Sequence, residues 1–163
     1  MDENIKFEEI LNIANIDIKN GHYQSAVQKL EDIIIENVEF GKAYNHLGWL
    51  YETKFKNYEK AEKYYKQALF YSPEYPAIYT NYAVLLSTLN KYDELKEHLK
   101  NALKITGIDK ATIYNEYGIM YEQLGNFNEA IKSYKQCALT TLSKDVLTRA
   151  KESIERCNIK QSL

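Results

Sequence analysis

The chain has 163 residues, 27% of them charged, and a formal net charge of −2. It is long enough to bury a core, and it lacks the basic excess that nucleic acid or an anionic membrane surface would call for. With only two prolines and six glycines it is not a loop-rich or disordered sequence. The first ten residues, MDENIKFEEI, are acidic and have no apolar core of a secretory signal. No apolar run approaches the ~18 residues of a membrane span, so a cytoplasmic protein without membrane contact is expected. Cys137 and Cys157 form no CxxC or Cys/His cluster, which argues against zinc or redox chemistry and for two reduced, buried thiols.

In chain order the sequence resolves into units of about 7–40, 41–75, 76–110 and 111–144. Small residues inside the first helix of each, Ala14, Gly48, Ala83 and Gly118, are spaced 34, 35 and 35 apart. Aromatics after each turn, Tyr23, Tyr58, Tyr92 and Phe127, are spaced 35, 34 and 35 apart, and Ala26, Ala61, Leu95 and Ala130 repeat those gaps. Agreement among the three sets establishes an internal repeat. In the second unit Tyr44, Leu47, Gly48 and Tyr51 fall on one helical stripe, and Ala61, Tyr64, Tyr65, Ala68 and Leu69 on another. The inner turn at 54–57 is one residue longer than its siblings, with Asn57 as its polar breaker. Pro73 stops the second helix and Pro76 suits the first turn of the next. The third unit carries its extra residue after its second helix, around 105–109. Gly21 and Gly125 stand where a left-handed C-cap is wanted. Twelve of the fifteen tyrosines occupy equivalent slots, which makes their rings packing and sends their hydroxyls to solvent or backbone. A last amphipathic helix over about 144–158, N-capped by Ser143, would close the open end, leaving 159–163 frayed.

These residues resemble the tetratricopeptide repeat family. The second unit shows its pattern as Tyr44, Leu47-Gly48, Tyr51, Ala61, Tyr65, Ala68 and Pro73; the fourth as Tyr114, Tyr117-Gly118, Tyr121, Ala130 and Tyr134. The third and first units are looser. The resemblance covers about 7–144. It implies an all-α solenoid of antiparallel helix pairs in a right-handed superhelix, here one domain over 1–163. It also implies a concave groove, lined by the first helices, that holds peptide segments of partner proteins.

The groove-facing slots then bring forward Asn12, Asn15, Asn45, His46, Trp49, Glu52, Asn81, Val84, Asn115 and Ile119. The basic residues with which some family members clamp a carboxylate are missing: Ala77 and Asn81 stand in the third unit, and Leu11 and Asn15 in the first. Asn15, Asn45, Asn81 and Asn115 could grip a partner's main chain, since an amide both donates and accepts. The alternative is an ordinary solvated polar face. Trp49 is either an anchor for a partner or part of the wall. His22, His46 and His98 share no catalytic spacing, Glu8, Glu52, Glu116 and Glu122 read as solvated helix acids, and HExxH, GxSxG, Walker A and GxGxxG motifs are absent. The expectation is a non-catalytic adaptor without cofactor or metal, binding a protein or peptide, monomeric or weakly homo-oligomeric. The alternative is a structural subunit that self-associates through repeat ends or its convex face, favoured if Phe7, Ile10 and Leu11 form an exposed patch.

Overall fold

The computed structural model describes residues 3–163, with side chains from Ile5 onward. The described residues form helices α1 Glu3–Lys19, α2 Tyr23–Glu36, α3 Gly41–Thr53, α4 Tyr58–Tyr71, α5 Pro76–Thr88, α6 Tyr92–Ala102, α7 Lys110–Gln123, α8 Phe127–Thr140 and α9 Lys144–Gln161, and no strand. The fold is an all-α helical-repeat solenoid. Two compact units divide it, residues 1–85 and 86–163. In the first, α1 packs on α2, α2 on α3 and α3 on α4; in the second, α6 packs on α7, α7 on α8 and α8 on α9.

The turns follow from local chemistry. Each inner turn places a left-handed residue at the same slot: Gly21 (φ 79°), Lys56 (φ 54°), Asn90 (φ 55°) and Gly125 (φ 71°). Asn57 and Asn126, each one residue later, cap α4 and α8 by accepting from the Lys60 and Glu129 amides at 3.0 and 3.3 Å. Asp109 and Ser143 do the same for α7 and α9. Pro76 opens α5, and the residues between α6 and α7 include Gly107 at φ 80°. The last helix runs past 158 to Gln161, whose amide donates to Asn128 at 2.8 Å, so residues 159–161 continue the helix and are not frayed.

In residues 1–85 one apolar cluster joins Phe7, Leu11 and Ala14 of α1 to Ala26, Leu30 and Ile33 of α2 and Leu47 and Leu50 of α3. Phe7 and Leu11 are therefore core, not an exposed patch. The exposed aliphatics of α1 are Ile5, Ile13 and Ile16. In residues 86–163 two clusters unite α8 with its neighbours, one around Ala111, Cys137 and Ala150, the other around Ala130, Tyr134 and Cys157. Both cysteines are buried and unpaired.

Two close helix approaches come from a three-residue arrangement present in alternate repeats. A Cβ added to Gly48 would lie 2.7 Å from the Tyr65 ring, and one added to Gly118 would lie 2.4 Å from the Tyr134 ring. Each ring's hydroxyl then donates to a glutamate on the facing helix: Tyr65 to Glu52 at 2.7 Å, Tyr134 to Glu122 at 2.9 Å. These hydroxyls thus meet carboxylates, where solvent or backbone was expected. In the first repeat the same three slots hold Ala14, Ile18 and Leu30; in the third, Ala83, Ser87 and Leu99. A tyrosine in this slot needs a glycine beneath it and an acceptor beyond it; a leucine needs neither.

Gly48→Ala should therefore destabilise by about 1–3 kcal/mol through overpacking, although Ala gains ~1 kcal/mol in helix propensity. Replacing all three residues together, Gly48→Ala, Glu52→Ile and Tyr65→Leu, reproduces the first repeat's set. It should cost less than the sum of its parts in urea denaturation. Lys56→Gly, at a left-handed position, should raise the melting temperature, by roughly 0.5–1 kcal/mol in stability.

Candidate functional site

Within residues 1–85, three first-type helices build a cleft of about 290 Å³. Asn15 and Ile18 come from α1, Asn45, His46 and Trp49 from α3, Ala77 and Asn81 from α5, and Tyr75 from the loop before α5. Asn15, Asn45, His46, Trp49 and Asn81, read separately from the repeat register, thus meet in one place. Asn12 lies exposed on α1 and Val84 is 47% exposed on α5; neither lines the cleft. The asparagines do not share a slot: Asn45 and Asn115 are equivalent, Asn81 falls one position later, and Asn15 is in the Trp49 slot. As a result Asn45, which is buried, accepts from the Asn81 amide at 3.1 Å. That pair ties α3 to α5 across the cleft floor.

The cleft lining contains no Lys, Arg, Asp or Glu. The nearest lysine on α3, Lys42, is ion-paired with Glu8 of α1 at 2.5 Å. His46 is held by a bond between Nδ1 and the Lys42 carbonyl at 2.8 Å. A carbonyl can only accept, so Nδ1 carries the proton and Nε2 is a bare acceptor. Burial, opposed by that carbonyl bond, holds the His46 pKa below the ordinary imidazole value and so favours this neutral form. Trp49 is half-buried against the α1–α3 core and lies under the Lys54 ammonium, 5.2 Å from the ring. It is both wall and cleft surface.

Glu52 belongs elsewhere. It is buried between α3 and α4 beneath Tyr65 and does not face the cleft, because the Tyr65 hydroxyl supplies a bond that solvent would otherwise give. Burial raises its pKa, with the Tyr65 bond opposing.

Within residues 86–163 a second cleft, of about 430 Å³, holds Asn115 and Ile119 with Thr112 of α7, Tyr134 of α8, and Val146, Arg149 and Ser153 of α9. The α9 residues were not expected here, since that helix reads as a cap. The signal was present: Val146, Arg149 and Ser153 each lie 34 residues after Thr112, Asn115 and Ile119. α9 thus keeps the register of a first-type helix. It is docked by Glu122, which accepts from Arg156 at 2.8 and 2.7 Å and from Lys160 at 2.8 Å in addition to Tyr134. These donors, Arg156 foremost, hold the Glu122 carboxyl far below the usual carboxylate range. Glu116, half-buried with a bond from the Asn115 amide at 3.4 Å, is shifted up by partial burial.

Both clefts offer hydrogen-bonding groups and apolar walls. Among the described residues no group of His, Cys, Asp and Glu is placed to hold a metal ion, and no helix is long and apolar enough to cross a membrane. Fold and clefts together define a helical-repeat protein with recesses between its first-type helices. Sequence profiles described as tetratricopeptide repeat match residues 11–77 and residues 76–108 and 111–139. The chain belongs to the tetratricopeptide repeat family, whose members generally act in protein–protein interaction or as scaffolds.

Solved structures share the fold. The MamA protein is 16% identical with a TM-score of 0.80 over 96% of this chain and 83% of that one. PilF of Pseudomonas aeruginosa is 14% identical with a TM-score of 0.81 over 98% and 77%. A thermophilic tetratricopeptide repeat protein of Thermus thermophilus is 19% identical with a TM-score of 0.69 over 91% and 81%. No curated protein matches the sequence.

Glu122 and Glu52, at one slot, should respond oppositely to pH. A carboxylate whose folded pKa is lowered contributes stability above its unfolded value of about 4.5 and loses it as pH falls. Glu122→Gln should therefore cost roughly 1–3 kcal/mol at neutral pH and lessen the loss of stability on acidification. For Glu52, with its pKa raised, ionisation opposes folding as pH rises. Glu52→Gln keeps an acceptor for Tyr65 and should be neutral or stabilising at pH 7. Urea denaturation across a pH series measures both.

Proposed function

We propose that the chain is a non-catalytic interaction module that takes a segment of a protein or peptide partner into its first-helix clefts. The observation that carries this reading is the convergence of Asn15, Asn45, His46, Trp49 and Asn81 from three helices on one recess. Trp49 supplies an apolar face of the kind that anchors interfaces. Asn15 and Asn81 supply donors and acceptors for a main chain, with Asn45 orienting Asn81. Asn12 and Val84 are rim residues in this reading, and Asn115 and Ile119 serve the second cleft.

A second reading, self-association through the outer face of the second-type helices, is favoured by one observation. Ile35, Phe70 and Leu139 occupy the same slot of their repeats and are 79%, 78% and 77% exposed; the third repeat has Lys104 there. Large apolar side chains recurring at one exposed slot suit a contact surface better than scattered ones.

Affinity purification from cells expressing the tagged chain separates the two. Trp49→Ala with Asn81→Ala should abolish recovery of the specific partner, while Phe70→Glu leaves it intact. The reverse pattern, with light scattering showing an oligomer that Phe70→Glu dissociates, would establish the self-association reading instead.

A further inference from the structure

We propose, resting on the peptide-binding reading above, that the cleft between α1, α3 and α5 selects an uncharged segment in extended conformation, with an apolar side chain against Trp49 and a main-chain N–H donated to His46 Nε2. Three features of the recess converge on this ligand. First, its lining has no formal charge; of the charged groups beside it, Lys42 and Glu8 neutralise each other, and the Lys54 ammonium lies over the Trp49 and Tyr23 rings, 5.2 Å from each. A charged ligand side chain would be taken from water with no counter-charge among the lining residues to receive it, which is costly. Second, the recess offers what an extended backbone needs. Each peptide unit brings one donor and one acceptor that must be paired when water is excluded. Asn15 and Asn81 provide both kinds of partner.

Third, His46 provides a fixed acceptor. Its Nδ1 is committed to the Lys42 carbonyl. No described side-chain nitrogen or oxygen is both buried and without a partner, so Nε2, which makes no bond, is not sealed from solvent. A bare imidazole nitrogen accepts from an N–H, but once protonated it can no longer accept. The charged groups around it are Glu8 of α1 and Lys42 of its own helix, already paired; the Tyr75 loop and α5 contribute Tyr75, Ala77 and Asn81. A volume of about 290 Å³ suits a short stretch of peptide and lies at the small end of the ~300–1,000 Å³ usual for ligand pockets.

The test is selection of a random-peptide phage library on the full chain, followed by titration of synthesised binders. Peptides whose affinity depends on Trp49 should carry aromatic or aliphatic residues, and no charged one, at the positions most sensitive to alanine substitution. Their affinity should change less than about twofold between low and high salt, since no ion pair is formed. It should fall by up to about tenfold per pH unit once the imidazole protonates. His46→Gln, which keeps an acceptor and cannot become charged, should flatten that pH profile; far-ultraviolet circular dichroism checks that it folds. Binders that require a charged residue, a steep salt dependence of the unsubstituted chain, or a pH profile identical in His46→Gln would overturn the uncharged-segment inference while leaving peptide binding standing. Failure to enrich any peptide that Trp49→Ala weakens would overturn the peptide-binding reading itself.

Discussion

The seating of a tyrosine ring on a glycine, with its hydroxyl delivered to a glutamate, is the contact on which the helix pairs of the second and fourth repeats depend. Tyr65 and Tyr134 are almost wholly buried, so each brings a large apolar area and one polar atom into the core. The area can be accommodated only because Gly48 and Gly118 remove the methyl group that would collide with it. The polar atom can be accommodated only because Glu52 and Glu122 stand one turn further along the first helix. The three slots are coupled, and the first and third repeats show the other solution, alanine with leucine and no acid. Mid-helix glycine, usually a cost of ~1 kcal/mol, is here a condition of close packing.

The same contact separates two electrostatic outcomes. Glu122 meets Arg156 and Lys160 from the next first-type helix and is held ionised; Glu52 has no such cation bonded to it, and burial favours its protonated form. The hydrogen bond from tyrosine is common to both, so the difference lies in what arrives from α9. Glu122 therefore does two jobs. It completes the tyrosine contact of its own repeat and fastens the helix that forms one wall of the second cleft.

Much of this was legible in the chain. A 34–35-residue period is carried by many residues at once, and a turn or cap is carried by one or two, so the helix pairs, the longer turn at 54–57, the glycine C-caps and the Ser143 cap could all be read directly. Glu52 could not. Its slot lies at the edge between the exposed stripe and the helix-pair interface, and its side is decided by Tyr65, on another helix. The Asn45–Asn81 pairing was hidden for a similar reason: the two residues differ by one register position, and only the placement of α3 against α5 brings the amides together. Reading α9 as a cap obscured its continuation of the first-helix register, although Val146, Arg149 and Ser153 keep the spacing of Thr112, Asn115 and Ile119. The Phe7 and Leu11 side chains were likewise decided by packing on α2 and α3, which the pattern of α1 alone does not specify.

What distinguishes this chain from a generic repeat lies outside the motif slots. The motif residues are spent on holding helices together: Gly48 under Tyr65, with Leu47, Ala61 and Ala68 fully buried. The cleft residues vary from repeat to repeat at the same register. The slot of Trp49 holds Asn15, Val84 and Ile119 elsewhere, and the slot of His46 holds Asn12, Asn81 and Glu116. Because the helix pairs are fixed by buried contacts, such substitutions alter the chemistry of a recess without disturbing the backbone that shapes it. The recess between α1, α3 and α5 has used that freedom to remove charge: the adjacent Lys42 is paired with Glu8, its histidine is kept neutral by burial, and one of its amides is spent orienting another. A surface of this kind gains little from long-range attraction and must discriminate at contact, through shape and the direction of a few hydrogen bonds.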